Sequence, residues 1–339
     1  MKNKIKIAIS LLLAVSFLLF PGCNGNGNNN RDRDDETKSS ATSKPAPSVT
    51  ETEAASDEAD ITEKTPLHFA KDPLTLEISA PQSFVFNLNT NEFLYLTCEG
   101  EVLYPASTTK LLTIVYALTL VEPDEVATVG DELSLLGEHP SLAFISRGNR
   151  LTVEMLIEGM MLPSGNDAAY TLAAFAGRRL SDDPDNISAA DAVALFMEGM
   201  NRYAAMIGVT GSNFTSPDGY FDEEHYSTVE DMALISAIAA KNEIIAKYAR
   251  VQTDKVTYES GEWIEWTNTN KLIDPWSGYY SPYATGLKTG SLGDGNYCLV
   301  VTADIEGVQY VFGVFSEEQA NARFADALII IEALEDRIP

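Results

Sequence analysis

The stretch Pro105-Ala106-Ser107-Thr108-Thr109-Lys110-Leu111 runs on to Val121 with apolar residues at Leu111, Leu112, Val115 and Leu118. That is the period of a helix burying one face. Ser107 therefore stands at a helix start, with free backbone N–H groups and the positive end of the dipole behind it. Lys110 follows one turn on, on the same side. Upstream, Ser83 to Leu88 and Phe93 to Cys98 alternate apolar with polar residues around Asn89-Thr90-Asn91-Glu92, which predicts a hairpin. Downstream, Val153, Leu156, Ile157, Met160 and Met161 form a second helical stripe that breaks at Pro163. Asp167 to Arg179, Ser188 to Ile207 and Thr228 to Ala240 also look helical, and this middle portion carries little strand signal. Strands return at Thr285–Thr289, Tyr297–Asp304 and Val308–Phe315, separated by glycine-rich turns; Phe324, Leu328, Ile331 and Leu334 mark a closing helix. The order predicts an antiparallel sheet built from both ends of the chain, with a helical subdomain at about 131–255 inserted between them. A site formed by these parts lies at their seam.

Three short motifs each occur once, in order: Ser107-Thr108-Thr109-Lys110, Ser164-Gly165-Asn166 and Lys288-Thr289-Gly290. Together they are the active-site residues of serine acyl-transferases that use lysine as the base. Serine must lose its proton as it attacks, and Lys110 accepts that proton only when neutral. A second cation, Lys288, together with partial burial, is expected to lower the Lys110 pKa toward the working range. Ser164 can relay a proton between Lys110 and a leaving amine, while Asn166 can hold the substrate amide or fix the lysine.

Composition bounds where such chemistry runs. Lys2, Lys4 and Lys6 precede an apolar run from Ile7 to Phe20, the layout of a secretory signal over residues 1–23. The run ends Phe20-Pro21-Gly22-Cys23, similar to a bacterial lipobox in which Cys23 is lipidated; ordinary cleavage would instead remove Cys23. Residues 24–66 are Asn, Gly, Asp, Glu, Ser, Thr and Pro with almost no large apolar side chains, and are expected to form a disordered linker. A flexible chain of that length spans about 35 Å root-mean-square. Residues 67–339 remain for one catalytic domain. The formal charge of −27 falls to −30 on loss of the three signal lysines, which argues against nucleic acid as a partner. Cys98 and Cys298 sit in apolar stretches and read as two buried free thiols. His68, His139 and His225 are scattered without ligand spacing, so no metal is expected. Gly290-Ser291-Leu292-Gly293-Asp294-Gly295 lacks nucleotide-binding spacing and reads as turn chemistry.

Pro105 to Leu111, Met161-Leu162-Pro163-Ser164-Gly165-Asn166-Asp167-Ala168-Ala169 and Gly286-Leu287-Lys288-Thr289-Gly290 resemble the three signatures of the D-alanyl-D-alanine carboxypeptidases, the low-molecular-weight penicillin-binding proteins. Further similarity lies in Ser216-Pro217-Asp218-Gly219, in His225-Tyr226-Ser227-Thr228 with Asp231-Met232-Ala233, in Thr267-Asn268-Thr269-Asn270-Lys271-Leu272 and in Tyr297-Cys298-Leu299-Val300, spanning about Ser83 to Ala327. The resemblance implies an α/β (α+β) fold of β-lactamase/transpeptidase type, an antiparallel sheet flanked by helices. It implies Ser107 as nucleophile, Lys110, Ser164 and Asn166 as its catalytic partners, and Lys288, Thr289, Gly290 and Ser291 as substrate-binding residues. Lys288 and Thr289 would take the C-terminal carboxylate of a peptide, and the backbone N–H groups of Ser107 and Ser291 would hold the oxyanion. The implied reaction removes the terminal D-alanine from a peptidoglycan stem peptide without a cofactor, β-lactams acylating the same serine. The implied setting is the outer face of a bacterial membrane, the domain hanging from the lipid on Cys23. His225 is expected to be a hydrogen-bonded structural residue, and Asn268 and Asn270 to shape a loop. A class A β-lactamase of the same fold needs Glu-x-x-Leu-Asn; the nearest string, Glu198-Gly199-Met200-Asn201, is one residue short. A transpeptidase would carry the same three motifs, and a non-catalytic penicillin-sensing lipoprotein would keep the serine without turnover. Many family members continue into a small β-rich domain and a C-terminal amphipathic helix, whereas this sequence stops at Pro339.

Overall fold

The alternation in the late strands places the sheet between two layers. A computed structural model describes residues 67–293 and 295–337; the signal, Cys23 and the linker lie outside the described residues. Strands β1 (Gln82–Asn87), β2 (Glu92–Leu96), β7 (Ala284–Ser291), β8 (Tyr297–Ile305) and β9 (Val308–Glu317) form one antiparallel sheet in the order β2-β1-β9-β8-β7. The two ends of the chain meet where β1 pairs with β9, Phe84 opposite Gly313 and Val85 opposite Phe312. Along β9, Tyr310, Phe312 and Val314 face one core and Val311 and Phe315 the other; β8 divides in the same way, Leu299, Val301 and Ala303 against Cys298 and Val300. This period of two follows from the pleat, and the long apolar run of a strand buried on both faces follows from having two layers to bury it.

Helix α7 (Ala322–Glu335) covers the first face with Phe324, Ala327, Ile330, Ile331 and Leu334. The second face carries α1 (Lys110–Ala117), α2 (Val153–Met161), α3 (Asn166–Gly177), α4 (Ala189–Met206), α5 (Val229–Ala240) and α6 (Glu243–Ala249). Side chains cap the starts of α2, α4 and α5: Thr152 accepts from Met155 N, Ser188 from Asp191 N, and Thr228 from Asp231 N.

Two small hairpins depart from the expectation of a middle portion poor in strands. β3 (Val126–Thr128) pairs with β4 (Arg150–Thr152), and β5 (Thr253–Thr257) with β6 (Trp263–Thr267). The first is three residues long, too short for an alternating pattern. The second is mostly exposed polar residues, with Val256 and Trp266 its buried anchors. Cys298 is buried as expected, while Cys98 is only half buried, and both are free. The glycine-rich segment after Gly290 is the turn between β7 and β8, with Gly293 and Gly295 both at φ above +90°.

Candidate active site

Ser107 sits in a 3-10 turn, Ala106–Thr109, and the α-helix proper begins only at Lys110. The turn is pinned from three sides. Ala106 adopts φ +51°, a left-handed conformation that costs an alanine on the order of 1 kcal/mol. Gly219, at φ +81°, backs onto it so closely that a Cβ there would lie 1.9 Å from Ala106 O. From the sheet, a Cβ on Gly290 would meet Pro105 O at 3.0 Å, so β7, the edge strand, runs directly beside the turn. Behind it, His225 Nδ1 accepts from Thr215 N (3.1 Å), which leaves Nε2–H to donate to Thr109 Oγ1 at 2.9 Å. Burial pushes His225 down to about 4, so the ring is neutral and structural, as expected.

Lys110 is fully buried, and its Nζ donates to Ser107 Oγ (2.9 Å), Asn166 Oδ1 (2.8 Å) and Asp218 O (2.9 Å). Desolvation lowers its pKa from 10.5 to about 8, against an opposing pull from the Asp218 and Asp167 carboxylates. Lys288 is also held well below the usual range, by burial first and then by repulsion from Lys110 and Arg323. Burial leads in lowering Lys110, as expected in part, and the repulsion between the two buried lysines acts on the pair. The geometry also sorts the lysine's partners. Asn166 Oδ1 and Asp218 O can only accept, so they occupy both N–H bonds of a neutral amine and turn its lone pair toward Ser107 Oγ.

The second motif occupies the break between α2 and α3. Ser164 is buried at φ +64°. Gly165 packs so tightly that a Cβ would touch Ala143 Cβ at 2.6 Å. Asn166 N donates to Ser141 O (2.8 Å), and Asp167 accepts from the backbone of Ala143, Ile145 and Ala168. Trp266 on β6 donates from Nε1 to Ala143 O at 2.8 Å. These contacts hold the segment 141–145 against the motif.

In the third motif Lys288, Thr289 and Gly290 lie on β7. Lys288 is buried, its Nζ donating to Thr289 O (3.1 Å). Thr289 Oγ1 bonds Thr269 Oγ1, and Arg323 on α7 donates to Gly290 O and to Cys298 O. Asn268 and Asn270 shape the preceding loop as expected, accepting from Asn270 N and Leu272 N.

Ser107, Asn166 and Ser291 open onto one cleft of about 730 Å³, walled by Tyr104, Tyr220, Phe221 and Leu292 and rimmed by Glu138 and His139. Lys110, Ser164, Lys288 and Thr289 are buried, each no more than 5 % exposed. Residues that motif reading left out are Asp218, Gly219, Thr269 and Arg323. The first three lie in stretches whose similarity to the family is visible in the sequence, and Arg323 follows no pattern of its own. Glu198 is exposed on α4 and paired with Arg202, facing away from a role in water activation. Among the described residues no three His, Cys, Asp or Glu side chains are placed to hold a metal ion.

Comparison with known proteins fixes the family. A model described as D-alanyl-D-alanine carboxypeptidase matches residues 68–319, well over half of the chain. The chain belongs to that family of serine-type peptidases. It is 32 % identical over 263 residues to the D-alanyl-D-alanine carboxypeptidase of Streptomyces sp. strain K15, covering 75 % of this chain and 86 % of that one. With D-alanyl-D-alanine carboxypeptidase DacF of Bacillus subtilis strain 168 it shares 28 % over 258 residues, 74 % of this chain and 61 % of that one. The solved Streptomyces K15 DD-transpeptidase superposes with a TM-score of 0.67 at 29 % identity, over 78 % of this chain and 98 % of that structure. Penicillin-binding protein D2 of Listeria monocytogenes, solved in its ampicillin-bound form, gives 0.61 at 26 %, over 77 % and 99 %. The carboxypeptidase family thus brings with it the β-lactamase-like fold expected above.

Proposed function

We propose that this chain removes the terminal D-alanine from peptidoglycan stem peptides through an acyl-enzyme on Ser107. The observation that carries this is the triple contact of buried Lys110 Nζ with Ser107 Oγ, Asn166 Oδ1 and Asp218 O, three residues that line the cleft. Neutral Lys110 takes the Ser107 hydroxyl proton as Oγ bonds to the carbonyl carbon between the last two residues. The carbonyl oxygen, now an oxyanion, is held by the N–H groups of Ser107 and Ser291, each such donor stabilising the transition state by about 3 kcal/mol. Collapse breaks the C–N bond. The proton on Lys110 passes through Ser164 to the departing amine, and D-alanine leaves. Water then attacks the ester, its proton going to Lys110 and on to Ser107, and releases the shortened peptide.

Lys288 and Thr289, neighbours on β7, take the C-terminal carboxylate of the peptide, and Gly290 lets an extended peptide lie along the strand edge. A β-lactam acylates Ser107 by imitating the same peptide bond, in line with the ampicillin-bound Listeria relative. This reading requires an exported domain facing the cell wall, and a lipid on Cys23 is the tether proposed for it.

The test is D-alanine release from diacetyl-Lys-D-Ala-D-Ala by the chain and by Ser107→Ala. Release by the former alone supports the reading, and equal behaviour of the two rejects it. A transpeptidase differs only in using an amine where water attacks, and the Streptomyces K15 neighbour bears that name. Adding a glycine-type amine acceptor and resolving hydrolysed from transferred product separates the two.

A further inference from the structure

Asp218 is 1 % exposed, and its carboxylate is divided in use. Oδ1 accepts from Tyr220 N at 3.0 Å, while Oδ2 is buried without any hydrogen-bond partner. A buried, half-satisfied carboxylate is costly unless an opposite charge faces it. Its surroundings supply one. The main-chain oxygen of the same residue accepts from Lys110 Nζ at 2.9 Å, and the next residue, Gly219, is locked against the Ser107 turn, so the side chain cannot drift away. Asp167, the other acid near Lys110, differs in kind: both its oxygens take backbone N–H bonds, from Ala143, Ala168 and Ile145, and it serves as a clamp.

Resting on the carboxypeptidase reading, we infer that Asp218 is a positioning residue whose carboxylate is the counter-charge setting the proton affinity of Lys110. The titratable and charged groups facing this pair are Asp167 and Tyr170 on α3, Lys288 on β7 with Arg323 behind it, and His225 with Asp222 from the same loop region. His225 is neutral and Lys288 is itself depressed, so Asp218 and Asp167 are the groups that oppose desolvation of the lysine. The consequence is a lysine able to work in both directions. It is neutral often enough to take the Ser107 proton, and its ammonium is stable enough to form in the transition state and return that proton to the leaving amine.

The experiment is the rate of acylation of the full chain by a fluorescent penicillin from about pH 5 to about pH 10, for the wild type, Asp218→Asn and Asp218→Ser. Asn keeps an oxygen for Tyr220 N and removes only the charge. Both variants are expected to move the acid limb of the profile down by on the order of one pH unit, and to lower the high-pH plateau several-fold because the base is weaker. Asp222→Asn, which removes an exposed charge nearby, leaves the limb in place. An unmoved or upward-moved limb in the Asp218 variants overturns the inference. So does failure of both to fold, since it would make the carboxylate a structural group. If the wild type is not labelled at any pH, the carboxypeptidase reading itself fails.

Discussion

A single amine carries the chemistry proposed here, and its surroundings set a pH signature. With the Lys110 pKa lowered by burial to about 8, roughly a tenth of the molecules hold it neutral at pH 7. Acylation of Ser107 is therefore expected to rise with pH through a limb centred near 8, read from penicillin labelling rates. A limb below pH 6 or above pH 10 would remove Lys110 as the base. Gly219 is the neighbouring residue that tolerates least. Its φ of +81° and the 1.9 Å approach to Ala106 O mean that Gly219→Ala displaces the nucleophile turn. The expected cost is about 3 kcal/mol of stability, seen as a lower Tm, with slowed labelling in the protein that still folds.

At the scale of elements, the edge strand β7 lies beside the 3-10 turn and is held from its flank by Thr269 and from behind by Arg323. Thr269→Val removes the hydroxyl that meets Thr289 without changing shape. It is expected to cost about 1 kcal/mol or less in thermal unfolding, yet to raise KM for the peptide severalfold as Thr289 loses its orientation. An unchanged KM would show that Thr289 is held by the strand alone. These contacts mark what could be read from residues and what could not. The helical period after Pro105, the alternation in β8 and β9 and the three motifs were legible because each repeats over a long enough stretch or stands in a fixed order. The 3-10 turn was not, because the left-handed Ala106 is imposed by Gly219 and Gly290, residues 113 and 184 positions downstream. The hairpins β3–β4 and β5–β6 were missed for want of length or of apolar alternation, and Asp218 because a main-chain oxygen leaves no mark in a motif.

Over the whole molecule, the closing helix stores a pH dependence of opposite sign to that of catalysis. Glu317, at the end of β9, is buried beside Asp326 of α7, both receiving Ser79 Oγ, and burial with that neighbour raises Glu317 from 4.5 to about 8. The folded chain thus holds a proton between those values that the unfolded chain has lost, so this contribution is fully present below about 4.5 and is lost as pH rises through 8. Glu317→Gln is expected to flatten the fall in Tm between about pH 5 and 8.5 and to be the more stable protein at the upper end. A variant that is less stable at the upper end contradicts the assignment. The claim beneath all of this is that an uncharged Lys110 makes Ser107 reactive. Intact-protein mass spectrometry after benzylpenicillin, with peptide mapping, tests it on the full chain against Lys110→Arg, which keeps a cation but cannot give up its proton. The account predicts one penicilloyl group on Ser107 of the wild type and labelling of Lys110→Arg slowed by about 1,000-fold. Equal labelling of the two proteins, or an adduct on any other residue, would contradict it.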